Sequence, residues 1–184
     1  YINTFSSKNI IVSIFGMFTL YHLLRFSPSP FMRYASSFGN NVILPSDAIL
    51  KGFFNTACSK DGVFIHIPDG HILEYPIHII YLNSAQDKNI ISHPRNLIVI
   101  GKNAQADIIE SYNSLCNNVV FNNIAHEIFI DEYAILNYTK LQSISESNLI
   151  VDTTQISQKK GSVINIHTFS NGGKLIRNDL NIYL

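Results

Sequence analysis

The chain has 184 residues, with 13 Lys and Arg against 13 Asp and Glu, so its formal net charge is zero. That length suits one domain with a substantial core, and the charge balance excludes the basic field that a dedicated nucleic-acid binder needs. Hydrophobic residues at 46% and charged residues at 14% exclude disorder and leave few solubilising groups, which points to a surface that meets a partner.

Residues 10–24, IIVSIFGMFTLYHLL, are apolar almost throughout, lie between Lys8 and Arg25, and are followed by Pro28 and Pro30. They fall short of the about 20 apolar residues that span a bilayer, so a buried helix is predicted, with a secretory or membrane segment as the alternative. Residues 46–57, SDAILKGFFNTA, read as a short helix: Ser46 caps it, and Ile49, Leu50, Phe53 and Phe54 share a face at helical spacing. Residues 1–57 are thus expected to form a partly helical N-terminal segment of unassigned role, and residues 58–184 a β region. The chain starts on Tyr1 and ends on the apolar run Ile182, Tyr183, Leu184, which reads as a piece of something longer.

After Asp61-Gly62 the pattern becomes short β runs between turn residues: VFIHIP, IHIIYL, NLIVIG, DIIESY, HEIFID, ILNYTKLQ, NLIVDTTQI, SVINIHTF and KLIRNDLNIYL. A repeat underlies them. FIHIPDGHILEYPIHI, LIVIGKNAQADIIESY and EIFIDEYAILNYTKLQ bring His71, Ala104 and Ala134 into register, and Ser162 continues the set, at steps of 33, 30 and 28 residues. A strand, a tight turn and a second strand recurring in this way predict a β-solenoid, in which each unit buries its apolar face on the next. Runs such as LIVI are apolar at successive positions, which suits strands covered on both faces. An antiparallel sandwich is the rival architecture.

Chemistry-bearing residues are few. His66, His71 and His78 share one unit but at spacings of five and seven, which match no compact metal-ligand pattern. Cys58 and Cys116 form no CxxC pair and no disulfide framework, so a reducing compartment is expected. Either cysteine would meet a histidine, Cys58 with His66 or Cys116 with His126, only if coiling stacked them. Asp61, Asp69, Asp131 and Glu132 are accounted for by turns, and Glu74, Glu110 and Glu127 are the acids beside strands. With no GxSxG, HExxH, P-loop or GxGxxG, the signatures of enzymatic chemistry are missing. The remaining enzyme reading is a solenoid polysaccharide lyase or acyltransferase, and a third reading is a membrane-attached β domain. In GGKLIRNDL, alternation puts Arg177 and Asp179 on one side of a strand, where an internal ion pair beside an asparagine ladder is expected.

The stretches KDGVFIHIPDG at 60–70, PIHIIYL at 76–82, SHPRNLIVIGKNAQADIIESY at 92–112, FNNIAHEIFIDEYAILNYTKLQ at 121–142, TTQISQ at 153–158 and GGKLIRNDLNIYL at 172–184 resemble the SufB/SufD family of iron–sulfur cluster assembly components, in its SufD branch. The resemblance implies a right-handed parallel β-helix and a non-catalytic scaffold subunit that pairs with SufB and binds the ATPase SufC, in the cytoplasm or an organelle stroma. It implies no cofactor on this chain: the complex handles the cluster and SufC binds ATP. Its motif residues Arg95, Asn96, Gln142, Gln155, Arg177, Asn178 and Asp179 become the candidate interaction residues, with no catalytic or metal ligand among them.

Overall fold

β-branched residues dominate the strand runs, and the computed structural model turns nearly all of them into strands. It describes residues 2–7, 10–15, 62–83, 89–114 and 118–184. In chain order the strands are β1 (Ile2–Ser7), β2 (Ile10–Phe15), β3 (Gly62–Ile67), β4 (Ile77–Asn83), β5 (Ile90–Ser92), β6 (Arg95–Ile100), β7 (Gln105–Ser114), β8 (Val120–Ile130), β9 (Ile135–Ile144), β10 (Leu149–Gln158), β11 (Val163–Gly172) and β12 (Leu175–Tyr183).

From β3 onward the chain winds as a parallel β-solenoid. One sheet runs β1-β2-β3-β6-β8-β10-β12, with β5 also on β8, and the second runs β11-β9-β7-β4. Every pairing from β3 to β12 is parallel. Apart from β5 and β6, which lie end to end on β8, consecutive strands from β3 onward therefore alternate between sheets, and each pairs with the strand one coil away, which excludes the antiparallel sandwich. The register Ile67↔Ile100↔Ile130↔Gln158 reproduces the steps read from the repeat. His71, Ala104, Ala134 and Ser162 occupy one stacked position, since the backbone N–H after each of the last three donates to the carbonyl one coil earlier: Gln105 to His71, Ile135 to Ala104 and Val163 to Ala134.

Stacking works because each coil turns the same corner. A hydrogen bond from the fourth turn residue to the first closes Pro68 to His71, Gly101 to Ala104, Asp131 to Ala134 and Lys159 to Ser162. The third residue is left-handed every time: Gly70, Asn103, Tyr133 and Gly161 have φ of 71, 56, 57 and 71°. At Gly161 the flat side of Tyr133 from the coil before lies so close that a Cβ would approach its ring to 2.5 Å. Pro94 interrupts the strand between β5 and β6 because it has no N–H, yet its carbonyl still accepts the Ala125 N–H at 3.0 Å and holds the register.

The interior is built from columns of like residues. Ile65, Ile98, Ile128 and Ile156 stack in register and are buried, and Ala106, Ile108, Leu136 and Tyr138 face them from the second sheet. Leu97, Ile98, Val99 and Ile100 are all buried. Only alternate members of that run face the interior; Phe64, Leu97 and Val99 make a separate cluster with Phe129 on the opposite face. The uninterrupted apolar spelling thus reports two buried faces.

The N-terminal expectation needs correction where it is described. Residues 10–15 are strand β2, paired antiparallel with β1 and with β3 (Ile14↔Val63, Val12↔Ile65), rather than the start of a helix. Ile10, Ile11, Val12 and Ile14 are β-branched and stiff at χ1, and the free edge of β3 offers them a ladder of backbone partners. Residues 16–24 and the helix expected at 46–57 lie outside the described residues.

Candidate functional site, a charged cluster enclosed by the coils

Side chains on alternate strand positions point inward, so a polar residue at such a position in the middle coils is taken out of water. Three columns do this together. Ile79, Glu110, Lys140 and Thr168 stack in the second sheet, with Tyr81, Tyr112, Gln142 and Ser170 beside them. Asn96, His126 and Thr154 stack in the first sheet, with Asp152 one inward position away. Glu110, His126, Lys140, Asp152 and Thr154 are all buried.

A buried polar group must find partners or pay a desolvation penalty. Lys140 Nζ donates to Asp152 Oδ2 and to Thr154 Oγ1, both at 2.7 Å, and Thr154 donates to Asp152 Oδ1 at 3.0 Å. The Lys140 ammonium also lies 5.4 Å from the Tyr138 ring centre. Burial alone would raise the Asp152 pKa, but the neighbouring His126 and Lys140 outweigh it, so the carboxyl sits well below the ordinary carboxylate range.

The tautomer of His126 follows from its neighbours. Asn96 Oδ1 accepts the Val63 N–H at 3.1 Å, which turns Asn96 Nδ2 toward His126 Nδ1 at 3.0 Å as a donor. Nδ1 is therefore an acceptor, with the Tyr138 hydroxyl also 3.2 Å from it, and in the neutral ring the proton lies on Nε2. That nitrogen faces Glu110 Oε2 at 3.6 Å and Asp152 Oδ2 at 3.4 Å. Tyr112 OH donates to Glu110 Oε2 at 2.9 Å and its ring stacks on Tyr81 at 4.7 Å. Burial, reinforced by the charge on Glu110, holds the phenols of Tyr81, Tyr112 and Tyr138 well above their usual pKa, so all three stay protonated. Glu110 Oε1 and Tyr81 OH are buried without a hydrogen-bond partner.

The seven candidate residues divide by face. Asn96 belongs to the enclosed cluster. Gln142, itself buried, exchanges hydrogen bonds with Asn178 at 2.9 and 3.2 Å and accepts one from Ser170 at 2.7 Å, both of them exposed. The others point outward. Arg95 pairs with Glu127, Gln155 stands in register between Glu127 and Asn181, and Arg177 Nε donates to both oxygens of Asp179 at 3.0 Å. That last pair corrects the expected internal ion pair: Arg177 and Asp179 share the outer side of β12, while Asn178 between them turns toward Gln142.

Sequence reasoning missed the cluster itself. Glu110 was visible only as an acid beside a strand and His126 only as an occasional partner for Cys116, which lies outside the described residues, as does Cys58. The repeat held the signal, because register places Lys140 one coil above Glu110 and His126 one coil above Asn96. Among the histidines of the first unit, His78 Nε2 bonds Ser111 Oγ at 3.0 Å and His71 Nδ1 lies 3.4 Å from the Asp69 carbonyl. Burial lowers the pKa of His66 against the opposing charge of Asp69. His66 lines a shallow outer groove with Asp69, Val99, Phe129, Asp131 and Ser157, away from the cluster.

Coil stacking, a shared corner turn and a charged cluster enclosed between two parallel sheets define a parallel β-solenoid. The sequence matches the family model for the SUF system FeS cluster assembly SufBD core domain over residues 81–184. An iron–sulfur cluster assembly SufBD family protein of Synechocystis is 34% identical over 134 residues, which cover 68% of this chain and 30% of that relative. The chain belongs to the SufBD family of the SUF iron–sulfur cluster assembly system, and it spans under a third of the length of this relative.

Proposed function

We propose that this chain is the core of a non-catalytic scaffold subunit of the SufD kind, which pairs with SufB and engages the ATPase SufC while an iron–sulfur cluster is assembled. The observation that carries this reading is the family match over 81–184, which runs from β4 to the end of β12 and so covers the stacked coils. A structural role is supported by the enclosed Lys140–Asp152–Thr154 hydrogen bonds, which tie the two sheets together inside the coil. The cluster is cargo of the complex, ATP belongs to SufC, and the working compartment is the cytoplasm or an organelle stroma. Among the described residues no helix is long and apolar enough to cross a membrane.

The test is affinity capture from cell extract with the full-length protein that carries this chain. SufB and SufC should be recovered together, and depletion of the protein should lower iron–sulfur enzyme activities without changing the levels of their polypeptides. Recovery of neither partner, or turnover of pectin or an acyl-CoA by the purified protein that is lost on changing Glu110 or Glu127, would overturn the reading.

A further inference from the structure

Val63, Asn96 and His126 form a chain of hydrogen bonds that ends on a ring able to change its role. The Val63 N–H donates to Asn96 Oδ1 at 3.1 Å, and Asn96 Nδ2 donates to His126 Nδ1 at 3.0 Å. All three residues are buried, on strands that are paired along both edges. The ladder between β3 and β6 begins at Phe64↔Leu97, so the Asn96 side chain holds β3 one residue ahead of it. Val63 is also the partner of Ile14 on β2, which places this bond where the N-terminal strands join the solenoid.

A neutral imidazole accepts at one nitrogen, whereas a charged one donates at both. The Tyr138 hydroxyl, 3.2 Å from Nδ1, serves either state because it both donates and accepts. Asn96 Nδ2 only donates, so a proton on Nδ1 would set two donors 3.0 Å apart. The amide restores that contact by turning over, which offers Oδ1 to the ring and presents Nδ2 to the Val63 N–H. Two donors then meet there instead, and one of the two bonds is lost.

The countercharge for a second ring proton is in place. Among the described residues, Glu110 of β7 and Asp152 of β10 face His126 Nε2 at 3.6 and 3.4 Å, and Lys140 of β9 is bonded to Asp152 at 2.7 Å. Tyr112 of β7 donates to Glu110 and stacks on Tyr81 of β4, and both phenols, like that of Tyr138, stay protonated. Two carboxylates thus stand against one ammonium, and a charged ring balances the remainder.

We propose that His126 is a proton-operated latch on the first coil: a proton taken up at Nδ1 turns the Asn96 amide over and frees the Val63 N–H, which loosens β3 at its start. The ring gains one proton from solvent and no other covalent bond changes. Asn148 provides an internal comparison. Its Oδ1 accepts the Val120 N–H at 3.0 Å, a bond of the same kind further along the solenoid, but its side-chain neighbour is the Ser147 hydroxyl at 3.5 Å, whose role does not change with pH.

The experiment uses the full-length protein that carries this chain. Ring nitrogen-15 shifts report the protonation of His126 while hydrogen exchange, normalised to the intrinsic rate at each pH, is followed at Val63 and Val120 from pH of about 8 to about 5, across the ordinary histidine range. As His126 takes up its second proton, protection at Val63 should fall about three- to tenfold, the contribution of one hydrogen bond, while Val120 keeps its protection. His126→Asn, which takes up no proton and retains an amide oxygen to accept from Asn96, should leave Val63 protected throughout; if that variant does not fold, the wild-type shifts and exchange decide alone. A ring that keeps one protonation state across this range, protection at Val63 that does not follow the ring, equal losses at Val63 and Val120, or a pH response that persists in His126→Asn would each overturn the proposal.

Discussion

Lys140 and Asp152 meet at 2.7 Å inside the coil, from strands on opposite sheets and with a turn between them. The pair ties β9 to β10 where the chain crosses from one sheet to the other, and its surroundings keep water out. Removing one partner of such a pair costs about 3–5 kcal/mol because the other charge is left buried, whereas replacing both by apolar groups of similar volume is often neutral. Lys140→Met should therefore be strongly destabilising in urea titrations, and the double variant Lys140→Met with Asp152→Leu should recover much of the loss. A double variant as unstable as the sum of the single ones would show that the two charges act independently.

The same carboxylate makes the fold acid-sensitive in a defined sense. Asp152 is held well below the ordinary carboxylate range in the folded chain, so its contribution is complete above the unfolded value of about 4. As pH falls below that value the unfolded chain takes up the proton first, and stability is lost progressively. Asp152→Asn should flatten this acid limb while lowering stability at neutral pH. An unchanged slope below pH of about 4 would assign the acid sensitivity to other groups.

Gly101 has no positive φ, yet it has no room for a side chain. A Cβ there would meet Asp69 Oδ1 at 2.4 Å, Asp69 N at 2.6 Å and Pro68 C at 2.8 Å, two of them backbone atoms of the preceding corner. Gly101→Ala should push the first two corners apart and cost about 1–3 kcal/mol, in the range of overpacking changes, with hydrogen exchange quickening at Gly70 and Lys102. Wild-type exchange and stability in the alanine variant would mean that the corners do not stack this closely.

The two faces of a coil should respond oppositely to truncation. Ile128 is 1% exposed in the stacked isoleucine column, whereas Leu141 is 38% exposed on the outer face of the second sheet. Ile128→Ala should cost about 2–5 kcal/mol, and Leu141→Ser should stay within about 0.5 kcal/mol. Chemical denaturation of both variants checks this, and equal losses would contradict the assignment of faces.

The solenoid was legible in the order of residues because its coils repeat. Register between strands one coil apart is a statement about sequence separation, and His71, Ala104, Ala134 and Ser162 carry it in plain view. The double burial of Leu97 to Ile100 was legible too, since a strand covered on both faces has no polar side to spell out. Residues 10–15 were not. An apolar run without clear periodicity serves a helix or a strand equally well, and only the open edge of β3 decides for the strand.

Residue order sets the coil, its length and the residues that share each column. Tertiary structure alone decided which columns face each other across the interior, and so brought Glu110, His126, Lys140 and Asp152 into contact. Like residues stack within a sheet at a fixed sequence separation, but contact between the sheets depends on how sharply each corner turns. No spacing in the chain encodes that angle, whereas burial enforces its outcome: a charge enclosed there must find its partner on the opposite wall.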